Sequence, residues 1–319
     1  MYQNVLDMIG NTPIVELQHC VANQCRVFGK LEYYNPGGSI KDRIALSMIE
    51  AAEQAGDIQP GDTLIEATAG NTGLGLALVA RQNGYHLRVV LPDKMSQEKI
   101  AMLESMGAEV IKTRSDVGKG HPDYYQDKAQ ALAQQSGGFY VNQFSNSANY
   151  QAHIDHTGPE IWAQMDHDVD AVVCGVGSGG TVTGLGRYLK SKNPDIDIVL
   201  ADPEGSVLAD IVHGKPMGEV GSWLVEGIGE DFVPDICDLS LVTHAFTISD
   251  RESFQMCRQV MDQEGIMIGT SAGTIMTAAL RYCEQQVSPK RVVTIICDGG
   301  HKYISKIFND QWWQEKGLM

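Results

Sequence analysis

The stretch Asn35-Pro36-Gly37-Gly38-Ser39-Ile40-Lys41-Asp42-Arg43 sets one lysine behind a glycine turn and a helix-capping serine, where an apolar-periodic helix begins. An amine at that place lies in the partial positive charge of a helix N-terminus, which disfavours its protonation. A depressed amine is what a Schiff-base lysine needs. Most lysines near a helix start are only solvated, so the motif gains weight from what accompanies it.

Two other motifs accompany it. Glu66-Ala67-Thr68-Ala69-Gly70-Asn71-Thr72-Gly73 runs from a strand into a helix. Its small hydroxyl residues and free amides make an anion cradle that suits the carboxylate of an amino acid. Thr68 or Asn71 would serve equally as an ordinary helix cap. Gly175-Val176-Gly177-Ser178-Gly179-Gly180-Thr181 follows an apolar strand and precedes another helix. Its glycines let the backbone approach a phosphate, and the helix start binds the charge. The same residues satisfy the dinucleotide pattern GxGxxG, with Asp202 ending the next strand, so a nicotinamide or flavin site is a second reading.

The elements that must position these residues follow from periodicity. Strands are expected at 26–32, 63–68, 86–91, 109–113, 139–143, 171–175, 197–201 and 291–297. Helices are expected at 39–55, 71–83, 96–106 (capped by Ser96), 181–192, 250–264 and 271–286. Such alternation implies βαβ units. The fold class is α/β in two lobes, each a mostly parallel twisted sheet with helices on both faces.

Bulk properties narrow the function. With 319 residues, 43% of them hydrophobic, the chain can bury a large core. It has no run of about 18 apolar residues, so no membrane span is expected. Residues 1–10 carry Asp7 and no basic stretch, and do not read as a signal peptide. A formal net charge of -16 argues against a nucleic-acid surface. Seven cysteines without a CxxC pair read as reduced thiols of a cytoplasmic protein. His153 and His156, three apart on an expected helix, read as helix histidines more readily than as a metal site.

The lysine motif, the 68–72 loop, the 177–181 loop and a late Ser271-Ala272-Gly273 occur in the order found in fold-type-II pyridoxal-phosphate enzymes, and Ile9-Gly10-Asn11-Thr12-Pro13 matches as well. The chain resembles the cystathionine β-synthase and O-acetylserine sulfhydrylase (cysteine synthase) branch over essentially its whole length. Asp202-Pro203-Glu204-Gly205-Ser206, Val225-Glu226-Gly227-Ile228-Gly229 and the ending Asp310-Gln311-Trp312-Trp313 lean toward its cystathionine β-synthase side.

The resemblance implies pyridoxal 5'-phosphate as cofactor, with Lys41 bound to it and later moving the Cα proton. Asn71 would meet the ring hydroxyl, Gly177, Ser178, Gly179, Gly180 and Thr181 the phosphate, and Ser271 the ring nitrogen. Thr68, Ala69, Asn71, Thr72 and Gln143 would surround the substrate carboxylate, with Gly227 also in the substrate pocket. Ala69 replaces the serine usual in this loop, and Glu230 stands where the animal synthases have a tyrosine. Trp312 and Trp313 are expected to pack the C-terminal segment onto the body. Glu226 is a candidate for positioning a substrate amine. Ser271 also reads as the N-cap of its helix.

The expected reaction is β-replacement on L-serine or O-acetyl-L-serine by a thiol: homocysteine giving cystathionine, or, alternatively, sulfide giving cysteine. A nicotinamide-dependent oxidoreductase and a non-catalytic amino-acid sensor are the readings from other classes. The expected organisation is one catalytic unit with a small mobile lobe at about 42–147, a large lobe of 1–41 plus 148–319, no haem segment and no regulatory module. A homodimer is implied.

Overall fold

A computed structural model describes the chain apart from residues 21–24, 69, 94, 96, 217 and 219 and the side chains of Gln97 and Glu98. In chain order the elements are β1 (Ile14–Leu17), β2 (Arg26–Leu31), α1 (Lys41–Ala55), β3 (Thr63–Ala67), α2 (Asn71–Asn83), β4 (His86–Pro92), α3 (Gln97–Ser105), β5 (Glu109–Thr113), α4 (Tyr125–Ser136), β6 (Phe139–Tyr140) and α5 (Ser147–Ala152). A π-helical turn (His153–Thr157) leads to α6 (Gly158–Gln164), β7 (Ala171–Gly175), α7 (Gly180–Lys192), β8 (Asp197–Pro203), α8 (Leu208–Val212), β9 (His244–Ile248), α9 (Asp250–Glu264), α10 (Thr270–Glu284), β10 (Arg291–Ile296) and α11 (Asp310–Glu315). The cap expected at Ser96 lies outside the described residues. Two compact units result, residues 1–9 with 35–152 and residues 10–34 with 153–319. The divisions at 34/35 and 152/153 stand beside the 41/42 and 147/148 read from the sequence, and Lys41 belongs to the first unit.

The first unit holds a four-stranded parallel sheet in the order β5-β4-β3-β6. Helices α1 and α2 bury Ile44, Met48, Ile49, Leu76 and Val79 with Leu64 and Val89 of the sheet. Each such side chain contributes about 1.5–3 kcal/mol when fully buried. The two helices pack closely at the lysine end. A Cβ at Gly75 would come within 3.0 Å of the Lys41 carbonyl oxygen and of Ala45 Cβ. Ala129 and Ala133 of α4 cover Ile65, Ala67 and Val90. Gly56 and Gly84, both left-handed, end α1 and α2.

The second unit holds a six-stranded sheet in the order β1-β2-β10-β7-β8-β9. Only the edge strand β1 runs antiparallel to its neighbour. Its core packs Val173, Val199 and Val292 against Ile275, Met276 and Tyr282 of α10. α9 opens with a capping box between Ser249 and Glu252. Lys30, fully buried on β2, donates to Thr12 O at 2.6 Å, Glu160 Oε2 at 2.7 Å and Gln164 Oε1 at 2.8 Å. Thr12 Oγ1 donates to Glu32 Oε1 at 2.6 Å. All three ammonium protons are thus used, which a buried charge requires. This network anchors the Gly10-Asn11-Thr12-Pro13 motif, in which Asn11 has φ 47°.

Glu66 of β3 is fully buried in the first unit, and burial pushes its carboxyl up to about 8. The folded chain therefore keeps this proton where the unfolded chain has released it, and stability falls as pH rises from about 4.5 to about 8. A Glu66→Gln variant lacks that loss. Denaturant midpoints should coincide with wild type at about pH 4 and favour the variant by about 2–4 kcal/mol at about pH 9. A difference independent of pH contradicts the buried neutral acid.

Candidate active site

Lys41 is the first residue of α1, and its backbone N–H donates to Ser39 Oγ at 3.2 Å. The serine therefore satisfies one of the orphan donors of the helix start. Gly38 takes φ 77°, and its N–H closes the turn onto Asn35 O at 2.8 Å. The buried Asp42 turns back on this bend, accepting from Gly37 N at 2.6 Å. A Cβ at Gly37 would lie 2.5 Å from Asp42 Oδ1, so the bend and the carboxylate fit only with glycine there. The amine is thus carried on a rigid helix start whose neighbour is α2.

Helix α2 begins at Asn71 with Gly70 as N-cap and no side chain capping it. Thr68 Oγ1 accepts from Gly70 N at 3.2 Å and shapes the loop instead. Thr72 Oγ1 donates to Gln143 Oε1 at 2.7 Å, and Gln143 Nε2 donates to Ala67 O at 3.4 Å. Thr68, Thr72 and Gln143 are buried, whereas Asn71 is half-buried. The structure thus brings together four of the residues read from the sequence, Thr68, Asn71, Thr72 and Gln143, around one helix start. Ala69 lies outside the described residues.

In the second unit, residues 177–181 join β7 to α7. Gly179, at φ 89°, is the N-cap of α7, and no side chain caps that helix. Its first N–H groups therefore remain for an anion, beside the hydroxyls of Ser178 and Thr181. Residues 225–229 pass directly against this loop. Gly229 N donates to Val176 O at 2.8 Å, and a Cβ at Gly177 would stand 2.6 Å from Gly227 O. The same segment reaches α10, where Glu226 N donates to Thr270 Oγ1 at 3.0 Å. Ser271, buried, follows in the first turn. Gly177, Gly227 and Ser271 thus stand on three segments linked by a main-chain hydrogen bond and by the Thr270 hydroxyl. Gly273 lets α10 close on α9, since a Cβ there would fall 2.1 Å from Ser253 O.

Several expectations change. Ser271 is not the N-cap: Gly269 holds that place, because Thr270 is already helical. The dinucleotide reading finds no support. Asp202 is fully buried and accepts from Ala209 N at 2.8 Å, so its carboxyl is engaged inside the unit and is not at hand for a ribose. Burial pushes that carboxyl up to about 6. Glu226, a candidate for holding a substrate amine, receives Lys306 Nζ at 2.7 Å. Glu230 engages Ser206 through its backbone, its N–H and carbonyl each 3.0 Å from Ser206 Oγ. His153 and His156 diverge on the π-helical turn. His153 is buried with Nδ1 2.9 Å from Thr157 Oγ1 and Nε2 3.4 Å from Thr181 Oγ1, whereas His156 is exposed. Trp313 is buried against Phe254 and donates to Ile307 O at 2.8 Å, with the Arg258 guanidinium 4.4 Å from its ring centre.

Sequence reasoning missed Thr270, Glu66 and the link from His153 to Thr181. Glu66 was visible as an acid inside an apolar strand run, the one such signal among the three.

The pyridoxal-phosphate dependent enzyme family's model matches residues 5–298. The chain is 40% identical over 320 residues to cystathionine beta-synthase of Rattus norvegicus, covering 99% of this chain and 57% of that protein. It therefore spans less than two thirds of that relative's length. It is 41% identical over 318 residues to cysteine synthase 1 of Neurospora crassa, covering 98% of this chain and 84% of that one. Among solved structures, a hydrogen sulfide-producing enzyme from Fusobacterium nucleatum superposes with a TM-score of 0.89 at 36% identity, covering 95% of this chain and 100% of the other. A family match this long, over a fold of two mostly parallel sheets, shows that the chain belongs to the pyridoxal-phosphate dependent enzymes.

Proposed function

We propose that the chain catalyses β-replacement on L-serine or O-acetyl-L-serine by a thiol, with homocysteine as the thiol and cystathionine as the product. What supports this reading is the likeness to the Rattus norvegicus cystathionine beta-synthase along 99% of this chain, with the junction of residues 225–229, the 177–181 loop and the start of α10 as the place for the cofactor. The residues present fit the cofactor. The start of α7 offers backbone donors with no competing cap, beside the Ser178 and Thr181 hydroxyls. Position 271 offers a hydroxyl and not a carboxylate.

When bound, pyridoxal phosphate supplies an electron sink for the charge left at the substrate's Cα. The chain's own residues then divide the work. The amides of 177–181 with the Ser178 and Thr181 hydroxyls would hold the phosphate. Asn71 would meet the ring hydroxyl, and Lys41 would be the amine that holds the cofactor and moves the Cα proton. Thr68, Asn71, Thr72 and Gln143 orient the substrate carboxylate, and Gly227 lines the pocket. The Ser271 hydroxyl does not force a proton onto the ring nitrogen. That weaker sink suits loss of a β-substituent, where the charge at Cα is relieved at once, and disfavours transamination.

A second reading, sulfide as the nucleophile and cysteine as the product, is favoured by the likeness to the Neurospora crassa cysteine synthase along most of that protein. Both readings take the enzyme as a homodimer.

Steady-state rates with L-serine and O-acetyl-L-serine, each against homocysteine and sulfide, test the choice. The proposal expects kcat/KM for serine with homocysteine to exceed the sulfide pairs by at least about tenfold, a transition-state difference of about 1.4 kcal/mol. Highest efficiency with O-acetylserine and sulfide selects the second reading. Turnover of none of the four pairs rejects both.

The neutrality of Ser271 has its own test. Ser271→Ala should keep most of the elimination rate, because no charge at the ring nitrogen changes. Ser271→Asp should lose more or acquire side reactions, because a carboxylate protonates the ring. Equal rates in the two variants contradict a role for neutrality.

A further inference from the structure

Glu66 is a buried ionisable group that the roles above leave without a task. Its cost is evident: an acid at the end of a central strand, with no exposure, in place of an apolar side chain. Its surroundings show what it holds. The chain leaves β6 at Tyr140, and Val141 N still donates to Ile65 O at 2.9 Å. Asn142 then takes φ 52°, a left-handed conformation that costs a residue with a Cβ about 1 kcal/mol or more. Its carbonyl accepts from Ser145 N at 3.1 Å and Asn146 N at 3.0 Å, closing a turn. The backbone N–H of Gln143, swung out of the strand ladder, donates to Glu66 Oε2 at 3.3 Å.

Each other polar group of Gln143 is also spoken for inside this unit. Its carbonyl accepts from Asn149 Nδ2 at 2.7 Å, Oε1 accepts from Thr72 Oγ1 at 2.7 Å, and Nε2 donates to Ala67 O at 3.4 Å. The Gln143 side chain also interacts with the Glu66 carboxyl, a second tie between the two residues. Glu66 Oε1 has no partner among the described residues. Burial outweighs the hydrogen bonds this carboxyl accepts and favours its neutral form.

We propose that Glu66 is a positioning residue: by accepting the Gln143 backbone N–H it fixes the left-handed turn at 142–143 and, through it, the Gln143 amide that orients the substrate's carboxylate. The proposal rests on the reading of Gln143 as a carboxylate ligand. The substitution Glu66→Gln retains an acceptor oxygen at the same reach without a charge, whereas Glu66→Leu removes the acceptor and Glu66→Asp withdraws it by one methylene.

Equilibrium binding of L-alanine to the holoenzyme, measured by calorimetry, isolates the effect, since alanine carries the carboxylate and amine but no leaving group. Gln143→Ala should weaken alanine binding by about tenfold or more; unchanged binding overturns the reading of Gln143 and the proposal with it. Given that loss, Glu66→Leu and Glu66→Asp should weaken alanine binding by about tenfold and raise the amino-acid KM in step, leaving the thiol KM within about twofold. Glu66→Gln should bind alanine as wild type does. Two results overturn the proposal while sparing Gln143: wild-type alanine binding in Glu66→Asp, or a loss in Glu66→Gln as large as in Glu66→Asp. Should Glu66→Leu not fold, the aspartate and glutamine variants decide alone.

Discussion

The hydrogen bond from Gly229 N to Val176 O, with Gly177 facing the Gly227 carbonyl, is the contact on which the second unit's working parts depend. It presses two stretches of main chain together, some fifty residues apart in sequence, at a distance where no Cβ fits. A glycine at 177 is therefore required by the chain's own packing. One end of the 225–229 segment is fixed to the loop before α7. The other is fixed to Thr270, whose helix carries Ser271. The three pieces consequently keep their spacing through one main-chain hydrogen bond and the buried Thr270 hydroxyl.

The first unit achieves its precision differently. Gly75 lets α1 and α2 meet where Lys41 begins its helix, and Asp42 locks the preceding glycine turn. Behind α2, Thr72, Gln143 and Glu66 form a buried polar chain in which nearly every donor finds an acceptor. Such networks are strong only when satisfied, and they fix one geometry. The buried carboxyl costs stability at neutral pH, which is a common feature of sites shaped for chemistry.

Much of this was legible because it is local. β5, α2, α9 and β7 lie where periodicity and glycine stops place them, since long amphipathic runs and left-handed glycines act within a few residues. β1 and β9 escaped, being short and half polar: Ile14–Leu17 is held by pairing with β2, and His244–Ile248 by pairing with β8. α4 and α5 escaped because only two alanines of α4 are buried and α5 spans six residues. The motifs of the site were visible as types and spacings. Their supports were not: nothing near Glu66 in sequence points to Gln143, and nothing near Gly177 points to Gly227. The cap assigned to Ser271 failed for a related reason. A strand-like approach through Gly269, tied to Asp298 O by its N–H at 3.1 Å, sets the cap two residues sooner than the serine suggests.

The central claim is that Lys41, at a helix start braced by Ser39 and Asp42, is the amine that binds the cofactor. Borohydride reduction of the purified holoenzyme, followed by proteolysis and mass spectrometry, tests it most directly. The account predicts one pyridoxyl-modified peptide, with the modification on Lys41 and absent from a Lys41→Ala variant that keeps the wild-type circular dichroism. Modification of a different lysine, or none in protein that carries the cofactor's absorbance, would contradict it.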